Sequence, residues 1–403
     1  MKKTKLLPSE DFIELREIAL RLIEKIKQYR KRYFLLKLMK SLGREPRIKL
    51  LRGFRGAGKT TALLQIFAEK QQEAMYFSMD NPLIKNYGLY QIGKTSLEKG
   101  FSILLIDEAH TYPNWRNEVK ALYDEFPKAK FVVSGSAPLV FVPERREEEI
   151  NADFLGLGEF VFLKTGKRIQ AKEEWKRIEN SIKILIKNPE LKQNWEAALY
   201  NGLPIYFEYG EATTTAIFNS IRKSIRQDTV FFLKMSGEKV VAMENFLRML
   251  ATSSLGEFSI NSCSKNLGVS KFTMYEIINI LNEMQIIHII RPYGRGPKMV
   301  RGEPKIMFRH PCLRTGICKT INEEPNLGAI REEMAVFSFI SRGYEVYTIK
   351  GKKKSPDYVV KKGKEILITE IGGESKTKIQ FTEFPKRKTL ILKPRQQIVL
   401  ATF

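Results

Sequence analysis

The sequence is short of cysteine, of long apolar runs and of acid relative to base, and each shortage removes a class of protein. Its 403 residues hold 3 cysteines, Cys263, Cys312 and Cys318. So few thiols make no disulfide framework, which points to a reducing, cytoplasmic setting. No stretch approaches the roughly 18 apolar residues of a membrane span, so no membrane partner is expected. The opening MKKTKLLPSEDF has the positive start of a secretory leader and lacks its apolar middle. Against 69 Lys and Arg stand only 45 Asp and Glu, a formal charge of +24. Such a field draws polyanions, and nucleic acid is the first candidate partner. The same lysines are spread over the whole chain, as they would be on a merely solvated basic surface.

What is present is organised around residues 47–61, RIKLLRGFRGAGKTT. A buried-strand pattern there runs into Gly53, Gly58, Lys59 and Thr60, the fixed positions of G-x-x-x-x-G-K-[ST]. Glycine permits conformations and close approaches that a Cβ blocks. The backbone of Gly53, Arg55, Gly56, Ala57, Gly58, Lys59, Thr60 and Thr61 is therefore expected to cradle phosphate oxygens where the next helix begins. Lys59 neutralises the outer phosphates, and the Thr60 hydroxyl is a hard oxygen ligand suited to Mg²⁺. A second strand, residues 74–80, ends in a carboxylate, and a third spans 102–108. Four apolar residues from Ile103 to Ile106 mark a strand covered on both faces, as in a parallel sheet. Asp107 and Glu108 stand at its C-terminal end, where such sheets bind ligands. Asp107 is expected to hold Mg²⁺ through its water shell, and Glu108 to orient and deprotonate an attacking water. A strand over 130–136 offers Ser134, and after it Ser136, as sensor of the γ-phosphate. Residues 159–163, EFVFL, read as the last strand of the sheet.

GFRGAGKTT, LLIDEAHTYPNW, EVKALYDEFPKAKFVVSGSAPL and LYNGLPIYFE together resemble the prokaryotic AAA-superfamily ATPases that carry a C-terminal domain of unknown function with a restriction-endonuclease-like core. The resemblance covers most of the chain from about Arg47 onward. Its phosphate-loop and acidic motifs are generic; Tyr112-Pro-Asn-Trp115 with Lys120, Tyr123 and Asp124 is more specific to the family. It implies an α/β fold: a P-loop parallel sheet of the AAA type, in the extra-strand class with a catalytic Glu. A helical lid, a winged-helix module and a restriction-endonuclease-like α/β domain complete it. It also implies ATP as substrate, a choice that the absence of an N-K-x-D motif favours. Where the family has an arginine pair in a context like A-D-L-S-R-R, this chain has Ala152-Asp-Phe-Leu-Gly-Leu157. Arg145 and Arg146 lie just upstream, either as substitutes or as partners of the acidic run around them.

The expected organisation is N-terminal helices and ATPase core over 1–165, lid over 166–238, winged helix over 239–320 and nuclease-like domain over 321–403. Residues 11–42 carry Ile13, Leu15, Ile18, Leu20, Leu22, Ile23 and Ile26 at helical spacing. The lid pattern rests on Trp175, Ile178, Ile182 and Leu185, and then on Ile217, Ile221 and Ile225. In the winged-helix region helices are expected over 245–251, 261–267 and 271–284, the last capped by Ser270. Strands follow over 286–291 and 305–308. The tip between them is basic, and Lys265, Lys271, Arg295, Lys298 and Arg301 are candidate phosphate contacts. The third helix offers few base-reading side chains, so interdomain packing is an equal reading. His310, Cys312 and Cys318 have no fourth partner nearby and read as packing residues rather than a zinc site. In the last domain Glu332, Asp357 and Glu370 resemble the acids of a PD-(D/E)xK core, in which carboxylates hold Mg²⁺ and a lysine two residues after the second acid orients water. Gly372 takes that lysine's place, with Lys376 or Lys378 to reach back, so an inactive nuclease fold is expected. The function expected is Mg²⁺-dependent ATP hydrolysis whose nucleotide state moves the C-terminal domains, in a DNA-associated role. The alternative is an ATP-gated DNA-binding protein or endonuclease whose main activity lies in the basic C-terminal half. A protein partner or a homo-oligomer stays open beside both.

Overall fold

Five parallel strands organise the first of the two units into which the chain divides, Met1–Asp153 and Phe154–Phe403. The computed structural model describes residues 7–135, 143–169, 178, 180–230, 234–255, 259–294, 302–349, 355–381 and 387–402. Ser136, Trp175, Arg295, Lys298 and Arg301 lie outside them.

In the first unit β1 (Ile48–Arg52), β2 (Ala74–Ser78), β3 (Ile103–Asp107), β4 (Lys130–Ser134) and β5 (Glu147–Asn151) stand in the order β2-β3-β4-β1-β5. The acid-bearing strand β3 is thus separated from the phosphate-loop strand β1 by β4, as the extra-strand class requires. Side chains alternate across a strand, and Ile48, Leu50, Met75, Phe77, Leu104, Ile106, Phe131 and Val133 enter one core with Trp115, Val119 and Leu122. Those last three belong to α6 (Trp115–Glu125). Helix α3 (Lys59–Glu69) follows the loop after β1, and α1 (Ser9–Ile26) packs on α3 and β2. The buried face of α1 is Phe12, Leu15, Ala19, Ile23 and Ile26. Ile13 and Leu20, counted with the apolar set in the sequence, point away and are 56% and 38% exposed.

The expected last strand is a correction. Residues 159–163 lie within the helix Leu157–Thr165, which ends on Gly166 at φ +81°. A glycine in the left-handed conformation is a common helix stop. An apolar run of four fits a buried helix as well as a strand, and Phe160 packs on Tyr206 and Phe207 with ring centroids 5.3 and 5.2 Å away. The fifth strand is instead the acidic run EEEIN, 147–151. Among the described residues it pairs only with β1, Lys49 opposite Glu148 and Leu51 opposite Ile150. Lys49, fully buried in β1, forms an ion pair with Glu148, and Arg52 reaches Glu149 at 3.5 Å. Opposite charges on paired strands stabilise the ladder, and charge along an edge strand discourages further pairing.

In the second unit the helices Gly237–Thr252, Ile260–Asn266 and Lys271–Glu283 precede an antiparallel pair, β6 (Ile287–Ile290) and β7 (Lys305–Phe308). The Ser270 hydroxyl caps the third helix by accepting from Thr273 N–H at 3.0 Å. The helix Leu327–Ile340 then leads into β8 (Glu345–Thr348), β9 (Tyr358–Lys362) and β10 (Glu365–Ile371), an antiparallel meander, with β11 (Lys388–Leu392) parallel to β10. His310 caps the helix Pro311–Thr320 through Nδ1, and its ring lies between those of Phe154 and Phe337. Cys312 and Cys318 are buried on that helix, and burial pushes the Cys318 thiol up to about 11. Among the described residues no helix is long and apolar enough to cross a membrane.

Arg314 and Glu333 are both fully buried and joined through Nε and Nη2 at 2.7–3.1 Å. Arg314 Nη1 also donates to the carbonyls of Leu250 and Ala251 at 2.7 Å, in the last turn of the helix Gly237–Thr252, whose carbonyls have no intrahelical partner. Glu333 in turn accepts from the Phe308 N–H of β7 at 3.1 Å. Arg314→Met leaves a buried carboxylate without its cation, and we expect it to cost about 3–5 kcal/mol in chemical unfolding. The double variant Arg314→Met/Glu333→Leu should recover most of that loss; a single variant as stable as the wild type would show that the pair does not organise this unit.

Candidate functional site

At the C-terminal edge of the first sheet each strand hands its chain to a different part of one site. β1 runs into residues 53–58, where Gly56 and Gly58 adopt φ of +87° and +85°, values that a side chain would strain. Gly58 is also the N-cap of α3, so the first N–H groups of that helix, which have no intrahelical partner, open onto the loop. Gly53 answers a different need. A Cβ on it would lie 2.3 Å from the carbonyl oxygen of Ala152, just past the end of β5. Lys59, 5% exposed, lays its ammonium against the loop, donating to the carbonyls of Gly53 at 2.8 Å and Phe54 at 3.0 Å. Arg32, also buried, donates to the carbonyls of Ala57 and Asp153, both at 2.8 Å. It thereby ties the loop to the chain leaving β5.

Asp107 ends β3 and is 2% exposed. It accepts from the Tyr76 hydroxyl of β2 at 3.1 Å, from the Ser134 hydroxyl of β4, and from the N–H of Glu108 at 3.0 Å. Burial, and then the charge of Glu108, push its carboxyl up; the hydroxyls of Ser134, Thr60 and Tyr76 hold it down. Ser134 is therefore placed on Asp107. Tyr76, desolvated and facing that carboxylate, has its phenol pushed far up.

Glu108 has φ +48° and ψ +34°. For a residue with a side chain the left-handed region costs about 1–3 kcal/mol and is held only by its surroundings. Here the Thr111 N–H and hydroxyl both bond the Glu108 carbonyl, at 3.0 and 2.8 Å, closing the tight turn Ala109–Thr111. His110, 6% exposed, brings Nδ1 to 3.1 Å from Glu108 Oε2. Burial, and then the charges of Arg55 and Lys59, push its imidazole down from 6.5 to about 4.

Of the residues specific to the resembled family, Lys120, Tyr123 and Asp124 hold the segment that leads into β5, and the neighbouring Arg116 reaches β5 itself. On α6, Arg116 holds Glu144 and Glu147 at 3.3 Å and Lys120 pairs with Glu144. Asp124 pairs with Arg146, and the Tyr123 ring lies under the guanidinium of Arg47 at 3.6 Å and near that of Arg146 at 5.4 Å. Arg146 is thus engaged with α6 and not with the acids beside it in sequence. Tyr112 bonds Glu118 at 2.7 Å.

The structure brings Lys59, Thr60, Asp107, Glu108 and Ser134 to one sheet edge. Sequence reasoning missed Arg32, Tyr76 and His110. Tyr76 had a faint signal, the lone polar ring in the apolar run AMYF; His110 had none beyond neighbouring Asp107 and Glu108, and Arg32 had none.

In the second unit Glu332 is held by Lys305 and by the Tyr358 hydroxyl at 2.6 Å, and Asp357 accepts from Ile371 N–H at 2.7 Å. Burial, and then Glu332, push Asp357 up to about 7. Glu370, 2% exposed, is paired with Lys376. A Cβ on Gly372 would lie 2.6 Å from Lys376 Cε and 2.7 Å from its Cγ. Among the described residues no group of three or more His, Cys, Asp or Glu is arranged to hold a metal ion.

Residues 45–150 match a family model described as an AAA domain, and residues 192–322 match a domain of unknown function (DUF8612). An uncharacterized protein of Methanocaldococcus jannaschii is 23% identical over 370 residues, 84% of this chain and 78% of its own length. Among solved structures, the Thermotoga maritima RuvB Holliday junction branch migration motor is 16% identical, with 79% of this chain and 96% of that one covered and a TM-score of 0.28. For C. elegans PCH-2 the identity is 11%, the coverage 68% and 70%, and the TM-score 0.22. Residues 45–150 are thus similar to an AAA domain, and the five-stranded parallel sheet with its glycine-rich loop is consistent with that fold.

A depressed imidazole has a stability signature. With its folded value near 4 against an ordinary 6.5, His110 contributes stability that is present above pH 6.5 and lost as pH falls through 4. We expect the wild-type unfolding midpoint to drop over that window more steeply than that of His110→Asn, measured by thermal melts at constant ionic strength. Parallel curves would mean that His110 is not held neutral.

Proposed function

We propose that the protein is a Mg²⁺-dependent ATPase in which nucleotide state at the first unit governs the second. One observation carries the reading: the lysine of a glycine-rich loop and an adjacent Asp-Glu pair meet at the C-terminal edge of one parallel sheet, in the extra-strand order. ATP is the substrate. The backbone of residues 53–61 and the Lys59 ammonium receive its phosphates. Glu108 accepts the proton of the water that attacks the γ-phosphorus; the bond from that phosphorus to the bridging oxygen breaks, and ADP and phosphate are the products. The site suits Mg²⁺: the Thr60 hydroxyl and the Asp107 carboxylate are hard oxygens, and a dication favours the charged form that burial opposes. When bound, the ion supplies charge neutralisation to the phosphates. Ser134 orients Asp107 in this reading, and its hydroxyl stays a candidate contact to the γ-phosphate.

For the second unit the finer reading is a winged helix, with its third helix at Lys271–Glu283, followed by a PD-(D/E)xK-like domain. Support comes from the three helices with a strand pair, and from a leading helix, antiparallel meander and added parallel strand that bring Glu332, Asp357 and Glu370 together. Contact with DNA is supported by the charge of +24 alone. The Lys376 ammonium on Glu370 favours an inactive nuclease fold over the alternative of an ATP-gated endonuclease.

Calorimetry and phosphate release test the first reading. Lys59→Ala should lose ATP binding. Glu108→Gln should bind as the wild type does and hydrolyse at least ~100-fold more slowly, because the amide cannot take the proton. Equal turnover in Glu108→Gln and wild type would dismiss Glu108 as base. Plasmid nicking with Mn²⁺ tests the second unit. Wild type is expected to nick no more than Asp357→Ala/Glu370→Ala, and clear nicking lost in the double variant would promote the endonuclease reading.

A further inference from the structure

The charge of +24 draws a polyanion without saying where one is held. The helix Lys271–Glu283 offers a place. It buries Met274, Ile277, Ile278 and Leu281, and its other face carries two aromatic rings in water. Phe272 is 80% exposed and Tyr275 51%. Residues three apart share a helix face, with Cβ atoms about 5–6 Å apart, so the two rings form one patch. A phenyl group that exposed gains little from packing in the fold. The patch is set among cations. Lys271 beside it is exposed, and so is Lys265 on the helix Ile260–Asn266, which packs on this one. From Asn261 to Asn282 the only acid is Glu276, and the Lys239 ammonium holds it at 2.7 Å. Glu303 is engaged by the Ile260 N–H at the start of the preceding helix, and Glu283 stands at the far end of the third.

We propose that this face binds single-stranded nucleic acid, with Phe272 and Tyr275 stacking on bases and Lys265 and Lys271 pairing with phosphates. Rings and lysines answer the two halves of such a strand, its apolar base faces and its charged backbone. A duplex is a poorer match. Its base faces are stacked on one another, only base edges reach the grooves, and a phenyl ring has no donor or acceptor to offer an edge. A protein partner would also cover the rings, but lysine is depleted from protein interfaces, and here exposed lysines flank the rings while the nearby acids are engaged. The proposal uses only the exposed face of two packed helices. It therefore rests on neither the ATPase reading nor the winged-helix reading.

Fluorescence anisotropy on the full chain tests it, with end-labelled oligo(dT) and oligo(U) of about 20 nucleotides, and a duplex of the same length, over about 50–300 mM salt. Phe272→Ala/Tyr275→Ala should weaken the single strand at least ~10-fold and the duplex by less than ~2-fold, since stacking on two bases is lost. Its slope of log K against log salt should stay that of the wild type. Lys265→Ala/Lys271→Ala should instead make the slope shallower by about 1.4, two phosphates at roughly 0.7 each. Phe272→Tyr should bind as the wild type does. All four positions are exposed, so the variants should melt with the wild type. The tighter of oligo(dT) and oligo(U) identifies the kind of strand, and the losses are read on it. Wild type that binds neither strand overturns the proposal, as does an aromatic variant within about 2-fold of wild type. An equal loss on strand and duplex overturns it too, because stacking on unpaired bases would not weaken both. If the wild type self-associates in sedimentation and the aromatic variant loses that while keeping the strand, the face joins copies of the chain and the proposal fails.

Discussion

A carboxylate removed from water must be given hydrogen bonds or it will not stay charged, and the ligand edge of the first unit is built around that requirement at Asp107. Burying an unpaired charge costs several kcal/mol. Here the compensation comes from Tyr76 on one neighbouring strand, Ser134 on the other, and Thr60 at the start of α3. Each donor reaches Asp107 only if β2, β3 and β4 end level, and their parallel register provides this: Ser78 lies opposite Asp107, and Ile106 opposite Val133, one residue before Ser134. The hydrogen bonds that oppose the upward push of burial on Asp107 therefore also align the strand ends that carry the lysine loop and Glu108.

The loop itself depends on the opposite side of the sheet. β5 is held to β1 by Lys49 with Glu148 and Arg52 with Glu149, and to α6 by Arg116 with Glu147. Where it ends, Ala152 passes so close to residue 53 that only glycine fits, and Arg32 spans from Ala57 of the loop to Asp153. The glycine that opens the motif is thus set by packing against the fifth strand as well as by the phosphates the loop is proposed to hold. Lys120 and Asp124 of α6 hold Glu144 and Arg146, in the segment that leads into this strand.

Legibility followed the range of the interaction. β1 to β4 could be read from their apolar runs, and Lys59, Thr60, Asp107 and Glu108 from motifs a few residues long. β5 could not, because EEEIN becomes a strand only through cations about a hundred residues away in sequence. The helix Leu157–Thr165 was misread because a four-residue apolar run has no period to count. Arg32, Tyr76 and His110 act through contacts that no local pattern encodes, and Arg314 with Glu333 joins four elements through one ion pair.

Gly372 shows how a departure from a pattern changes meaning in three dimensions. In sequence it stands where the resembled nuclease pattern has a lysine. In the fold, a side chain there would collide with the methylenes of Lys376, whose ammonium reaches Glu370 by that path. The glycine and the later lysine therefore belong to one arrangement. The consequence is electrostatic. Glu370 is buried, and its companion Asp357 is pushed up to about 7 by burial and by Glu332. An ammonium already in contact with Glu370 meets part of the demand that a dication would meet, and a cation entering the cluster must displace it. That competition favours a structural acid cluster over a metal-dependent one, whereas the hydroxyls around Asp107 bring no charge.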